Sequence, residues 1–217
     1  MKFKAAIFDL DGTLINSLED IADSLNGVLR KNNFPTHLLD RYRYLVGYGV
    51  WQLVEYGLPE AHRQDETVEK CLGEYREAYR QNWKVKTQPY EGIPEMLQAL
   101  AGTSVKMAVL SNKVDDMTKL CVEEFLPNGG FEVVMGQQGG IPKKPDPKSA
   151  LMIADQLKCR PEEVAYFGDT SVDMQTASAA GMYAVGVLWG FRSREELLEY
   201  GAKRLCEKPL EILSVFD

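Results

Sequence analysis

The sequence predicts an α/β protein, a doubly wound parallel sheet interrupted near its start by an all-helical insertion. Three observations carry this. After residue 87, short apolar runs alternate with helical stretches; two of these runs, and one near the start of the chain, end in polar, aspartate- or serine-bearing segments; and from Thr36 to about Lys84 helix follows helix with no convincing strand.

The run Lys4–Phe8 is short, apolar and ends at Asp9, as a buried parallel strand leading into a functional loop does. Leu18, Ile21, Ala22, Leu25, Val28 and Leu29 then recur at helical spacing, predicting a helix over Leu18–Asn32. The punctuated segment Gln88-Pro-Tyr-Glu-Gly-Ile-Pro fits a return from the insertion. Strands are predicted at Val105–Leu110, Glu132–Met135, Val164–Phe167 and Tyr183–Val187. Helices are expected between them: one to about Phe125, one around Pro147–Leu157, and one to Gly181. The tail after Glu195 reads as two short helices around a strand at Lys203–Cys206. A core of residues 1–15 and 87–217 with a helical cap at 16–86 is the expected division, in one chain of 217 residues.

A formal charge of −7 repels nucleic acid and anionic membranes. It would also repel a phosphorylated ligand, so a phosphate site must be made locally positive by a metal, a lysine and backbone N–H groups. The segment Met1–Asp11 reads neither as a signal peptide nor as a membrane span, which predicts a cytoplasmic protein. Cys71, Cys121, Cys159 and Cys206 are scattered singly and predict reduced thiols, with no zinc spacing. His37 and His62, the only histidines, are read as surface residues outside any triad, and chemistry therefore falls to carboxylates. The aromatics Tyr42, Tyr44, Tyr75, Tyr79 and Trp83 are expected to pack helices.

Asp9-Leu-Asp-Gly-Thr follows the first strand, Ser111-Asn-Lys the second, and Gly168-Asp-Thr-Ser-Val-Asp a later one. Open α/β sheets bind ligands outside the carboxyl ends of their strands, so these segments are expected to converge, with Lys143-Lys-Pro-Asp-Pro as a fourth. This ordered set resembles the four motifs of the haloacid dehalogenase-like hydrolase superfamily: Phe8-Asp-Leu-Asp-Gly-Thr-Leu, Val109-Leu-Ser-Asn, Lys144-Pro and Gly168-Asp-Thr-Ser-Val-Asp. The resemblance covers nearly the whole chain, places a cap between the first two motifs, and matches Ala180–Val187 to a closing strand.

It implies a Mg²⁺-dependent phosphohydrolase with Asp9 as nucleophile and Asp11 as general acid and base. Ser111 and Lys144 would hold the phosphoryl oxygens as catalytic groups, with Gly12, Thr13, Asn112 and Gly47 in the substrate-binding set. Asp9, the main-chain carbonyl of Asp11 and Asp169 would hold the metal. Asp173, one helical turn on, would bind a metal water or orient Lys144.

Bland alternatives stand beside these roles. Ser111 can cap the helix that follows, Asp169 and Asp173 can be an N-cap and a first-turn charge, and either Lys143 or Lys144 can be the phosphate lysine. The loop Gly47-Tyr-Gly-Val-Trp resembles a substrate-facing cap loop of the phosphoglycolate phosphatase group, and equally suits a helix–helix turn with Trp51 in the core of the insertion. Dehalogenating members lack the second aspartate, and mutases usually carry valine where Thr13 stands. With Trp189-Gly-Phe after the last core strand, the resemblance favours a phosphoglycolate phosphatase-like enzyme. The expected partner is a small phosphorylated metabolite, handled by a monomer or weak dimer without nucleic acid or membrane. A sugar-phosphate mutase, an inorganic pyrophosphatase and a non-catalytic phosphate-binding module are the rival readings.

Overall fold

The computed structural model describes residues 3–217; Met1 and Lys2, which the sequence reading assigns to the core, lie outside the described residues. The chain forms two compact units, Met1–Ile15 with Pro89–Asp217, and Asn16–Gln88.

The first unit carries a six-stranded parallel sheet. Its strands are β1 (Ala5–Phe8), β4 (Lys106–Val114), β5 (Phe131–Gln137), β6 (Val164–Gly168), β7 (Tyr183–Val187) and β8 (Arg204–Cys206). They lie in the order β5-β4-β1-β6-β7-β8. Counted along the chain, the sheet grows outward from β1 first to one edge and then to the other, which is the doubly wound arrangement. Two further short strands, β2 (Ile15–Asn16) and β3 (Gln88–Pro89), form a separate two-stranded sheet that the sequence pattern does not announce.

β1 and β6 are buried along their whole length, so their sequences read as unbroken apolar runs without alternation. Phe8 pairs with Val109 on one side and Phe167 on the other, and the Phe8 and Phe167 rings stack at 4.9 Å. That register brings the residues immediately after β1 and β6, and the far end of β4, to one edge of the sheet. The helices of this unit are α5 (Ile93–Ala101), α6 (Asp115–Phe125), α7 (Lys148–Gln156), α8 (Ser171–Ala179) and α9 (Arg194–Glu199). On one face Ile7, Leu110, Tyr166 and Ala184 pack with Ile153 and Leu157 of the α7 segment and with Met174 and Ala177 of α8. The second expected tail helix is a 3-10 segment, Pro209–Val215.

The second unit is helical: α1 (Leu18–Lys31), α2 (Leu39–Leu45), α3 (Val50–Gly57) and α4 (Asp65–Asn82), with a 3-10 turn at Glu60–His62. Tyr42, Tyr75 and Tyr79 are buried in it as expected, but Tyr44 is 57% exposed. His62 is exposed, whereas His37 is half-buried, its Nε2 2.7 Å from the Gly57 carbonyl oxygen. Gly47 and Gly49 have φ of 116° and 92° in the turn joining α2 to α3, where a side chain would be strained, and Trp51 is half-buried in the first turn of α3. Asp20 accepts hydrogen bonds from the backbone N–H groups of Val85, Lys86 and Thr87 and from the Thr87 hydroxyl, fastening residues 85–87 to the first turn of α1. Among the described residues no helix is long and apolar enough to cross a membrane. All four cysteines are free thiols.

Candidate active site

Asp9 follows β1 directly, and its N–H donates to the Phe167 carbonyl at 2.9 Å, so the sheet ladder itself sets its position. The next residues turn sharply: Gly12 has φ +93°, and its N–H reaches the Ile15 carbonyl at 2.9 Å. A β-carbon at Gly12 would lie 2.3 Å from Oδ2 of Asp169, so glycine is required there by close approach as well as by its backbone angle. Thr13 turns its hydroxyl toward Asp169, donating to Oδ1 at 3.0 Å.

Asp169 and Asp173 leave β6 from the same edge. The sequence reading allows Asp169 to be a helix cap; the cap of α8 is instead Thr170, paired with Asp173 in a reciprocal box. Asp169 is thus left to the site, fully buried, with Oδ2 accepting from the Phe191 N–H at 2.8 Å. Asp173 is held on every side. Its Oδ2 accepts from the Thr170 N–H and hydroxyl, and its Oδ1 from Lys144 Nζ at 2.7 Å and from the Tyr166 hydroxyl at 3.4 Å. Gly168 makes this possible, since a β-carbon there would come within 2.2 Å of the Asp173 Cβ.

Lys144 is 3% exposed, and its ammonium lies 2.8 Å from Asp9 Oδ1, between Asp9 and Asp173. Lys143, its neighbour, is half-buried. The Lys144–Pro145 bond is cis, and Asn112 clamps the lysine main chain by accepting from its N–H at 2.9 Å and donating to its carbonyl at 3.0 Å. Asn112 therefore positions the lysine from across the sheet edge.

Ser111 and Asn112 do not lie in a loop: β4 continues to Val114, with its pairing to β5 shifted between Leu110 and Val114. Ser111 does not cap α6 either. The cap position is Val114, without a side-chain bond, and Ser111 Oγ accepts from the Lys113 N–H at 3.1 Å. Asp11 carries a partner that the sequence reading did not assign: Lys113 Nζ lies 2.7 and 2.8 Å from its two oxygens.

Asp9, Asp169 and Asp173 each offer a carboxylate oxygen within 4.8 Å of the others, all three buried. Buried carboxylate oxygens are the donors a hard divalent cation takes, so the residues present fit such an ion.

The electrostatics follow from the crowding. Burial pushes the Asp9 carboxyl well above the usual carboxylate range; Lys144 opposes the shift, and the charges of Asp173 and Asp169 reinforce it. Burial, then the charge of Asp173, raises Asp169 to about 7, against hydrogen bonds from Phe191 and Thr13 and the nearby positive charge of Arg192. Lys144 holds its proton well above the ordinary lysine range; burial works against this, and the charges of Asp173 and Asp9 outweigh it.

A parallel α/β sheet whose first strand ends in Asp-x-Asp, with a buried lysine bridging two aspartates beside it, defines a class of hydrolase. The chain belongs to the haloacid dehalogenase-like hydrolase family, whose sequence profile matches residues 6–187. Within that family it falls in the phosphoglycolate phosphatase-like group. It is 34% identical over 188 residues to the phosphoglycolate phosphatase of Aquifex aeolicus, covering 87% of this chain and 86% of that one. To the phosphoglycolate phosphatase of Pseudomonas putida it is 30% identical over 192 residues, covering 87% and 70%. A crystal structure from Lactobacillus delbrueckii subsp. bulgaricus, provisionally named for the same activity, matches with a TM-score of 0.93 at 28% identity, over 99% of this chain and 98% of that one. The chain is accordingly a phosphatase of this family.

Proposed function

We propose that this protein is a Mg²⁺-dependent phosphomonoesterase that transfers the phosphoryl group of a small metabolite, best represented by 2-phosphoglycolate, to Asp9 and then to water. The observation that carries the reading is the buried Lys144, held between Asp9 and Asp173 at 2.8 and 2.7 Å beside the three-aspartate cluster.

A carboxylate attacking a phosphate dianion meets charge repulsion, and the site answers it with fixed groups. Lys144 keeps its proton through the reaction and offers a permanent positive charge to the phosphoryl oxygens. The Ser111 hydroxyl is suited to donate a further hydrogen bond. An Asp9 oxygen forms a bond to phosphorus as the bond to the leaving oxygen breaks, and Asp11 delivers a proton to that oxygen. In the second half Asp11 takes a proton from water, whose oxygen attacks the aspartyl phosphate; Asp9 and inorganic phosphate are released. Mg²⁺ held by Asp9, Asp169 and the Asp11 main-chain carbonyl would supply charge that screens the approach of the two anions. We assign the helical unit the cap's role in selecting the substrate, Gly47 included. The resemblance of relatives named for phosphoglycolate supports that substrate over others of the same chemistry.

The test is phosphate release from a panel of phosphomonoesters that includes 2-phosphoglycolate, with Mg²⁺ and with excess chelator. Chelator-sensitive release with 2-phosphoglycolate preferred supports the proposal. Well-folded protein that hydrolyses nothing on the panel overturns it.

A further inference from the structure

Each aspartate of the Asp-x-Asp pair has its own lysine, little exposed to solvent. Lys144 stands on Asp9, as described. Lys113 stands on Asp11, with Nζ 2.7 and 2.8 Å from its two oxygens and side chains only 8% and 11% exposed. Burying an ammonium is costly unless its pairing is close and well aligned, and a two-oxygen contact at these distances meets that condition. The pairing spans 102 residues of sequence and joins the ends of two neighbouring strands, so it belongs to the tertiary fold.

The main chain of Lys113 is fixed from two directions. Its N–H donates to Ser111 Oγ at 3.1 Å, and its carbonyl accepts from the buried Thr118 hydroxyl at 3.1 Å. Gly136 of β5 lies close behind: a β-carbon on it would meet the Lys113 carbonyl oxygen at 2.7 Å and Thr118 Oγ1 at 2.4 Å. The base of the lysine side chain is therefore set, and its tip is set by Asp11. An aspartate in a tight turn has two side-chain torsions to settle, and contact with both of its oxygens selects one orientation. Proton transfer depends on that orientation, because the acid must come within hydrogen-bond reach of the reacting oxygen.

We infer that Lys113 is the positioning residue of Asp11, holding its carboxyl group where it gives a proton to the leaving oxygen in the first half-reaction and takes one from the attacking water in the second. The inference rests on the phosphatase reading above and adds a residue to it.

The experiment is rapid-mixing, single-turnover kinetics of the full chain with saturating Mg²⁺. It compares wild type, Lys113→Met, Lys113→Arg, Asp11→Asn and the Asp11→Asn/Lys113→Met double variant on 2-phosphoglycolate and on 4-nitrophenyl phosphate. Nitrophenolate leaves without needing a proton, whereas the alkoxide of glycolate needs one. Lys113→Met should slow first-turnover cleavage of 2-phosphoglycolate by roughly 100-fold, the scale of a small misplacement of a reacting group, with KM little changed. Its nitrophenolate burst should stay near the wild-type rate, and Lys113→Arg should recover part of the loss. In the Asp11→Asn background, Lys113→Met should cost nothing further, because a residue acting through Asp11 has nothing left to position. Equal losses on both substrates, or an additional loss in the double variant, would overturn the inference in favour of direct phosphate binding. If Lys113→Met fails to fold, Lys113→Arg matching Asp11→Asn in substrate pattern still supports it, and Lys113→Arg slowing both substrates equally overturns it. Wild-type protein inert on both substrates would instead remove the phosphatase reading and this inference with it.

Discussion

Gly190 sits so close to Asp169 that a β-carbon on it would lie 2.2 Å from the aspartate's own Cβ and 2.5 Å from the Gly12 carbonyl oxygen. Its neighbours complete a strap across the site. Trp189 Nε1 donates to the Thr13 carbonyl at 2.9 Å, and the Phe191 N–H donates to Asp169 Oδ2 at 2.8 Å. One segment after β7 thus holds both the turn after β1 and the aspartate after β6. Gly190→Ala is expected to displace Asp169 and weaken Mg²⁺ binding by at least about 10-fold, in the range found when residues supporting a metal ligand are changed. Titration calorimetry of the purified variant checks this directly, and an unchanged affinity would mean the strap is only structural.

Asp9→Asn is expected to abolish turnover without unfolding the protein. Lys144 keeps its 2.7 Å contact with Asp173, so the lysine is not stranded, and an amide at position 9 removes a carboxylate whose charged form burial disfavours. Thermal melting in chelator should therefore give a midpoint equal to or above that of wild type while phosphate release vanishes. Residual wild-type turnover would sink the nucleophile assignment.

How much of this was readable in advance depends on whether a residue's role is local. β1 and β6 were legible because strands buried on both faces are continuous apolar runs, and Asp9 and Asp169 were legible because each interrupts such a run at its end. The continuation of β4 to Val114 was not, since Ser111-Asn-Lys looks like a loop until β5 pairs beside it in a shifted register. Lys113 drew no role because a lysine after a strand is ordinarily solvated charge, and its partner lies 102 residues away. Trp189-Gly-Phe carried only a resemblance, and the need for glycine there exists only once Asp169 and Gly12 are brought against it. Asp169 and Ser111 were each open to a reading as helix caps for a smaller reason: several residues near each helix start are capable of capping, and geometry alone chooses among them, giving the position to Thr170 and Val114.

Lys144→Ala and Lys143→Ala should differ sharply. Removing Lys144 leaves Asp9 and Asp173 facing each other with side chains 9% and 0% exposed and no cation between them. Breaking a buried pair by deleting one partner costs about 3–5 kcal/mol, and here the deleted partner serves two anions. Lys144→Ala should lose phosphate affinity and lower the melting temperature in chelator, with Mg²⁺ recovering part of the stability. Lys143, half-buried, should change either quantity little. The reverse ranking in paired melting and phosphate-binding measurements would assign the phosphate to Lys143.

Mg²⁺ held as proposed would compete with protons for the same oxygens, and that competition sets how stability responds to pH. Asp169 titrates at about 7 in the metal-free fold against an ordinary value of 3.8, and Asp9 is raised as well. Below about pH 4 both groups are protonated whether the chain is folded or not, and they cost nothing. As the pH rises from there the unfolded chain ionises while the folded one keeps its protons, so these aspartates increasingly oppose folding. For Asp169 the cost is complete once the pH passes about 7. A bound divalent ion removes that cost by pairing with the ionised carboxylates, and it stabilises only the folded chain. The rise in melting temperature on adding Mg²⁺ should therefore be small near about pH 5 and large near about pH 8. The change for Asp169 should centre near the value of about 7 given above. Taking the difference between Mg²⁺ and chelator at each pH cancels titrations elsewhere in the molecule. A Mg²⁺ increment that stays constant across that range would mean that these carboxylates are not the metal's ligands.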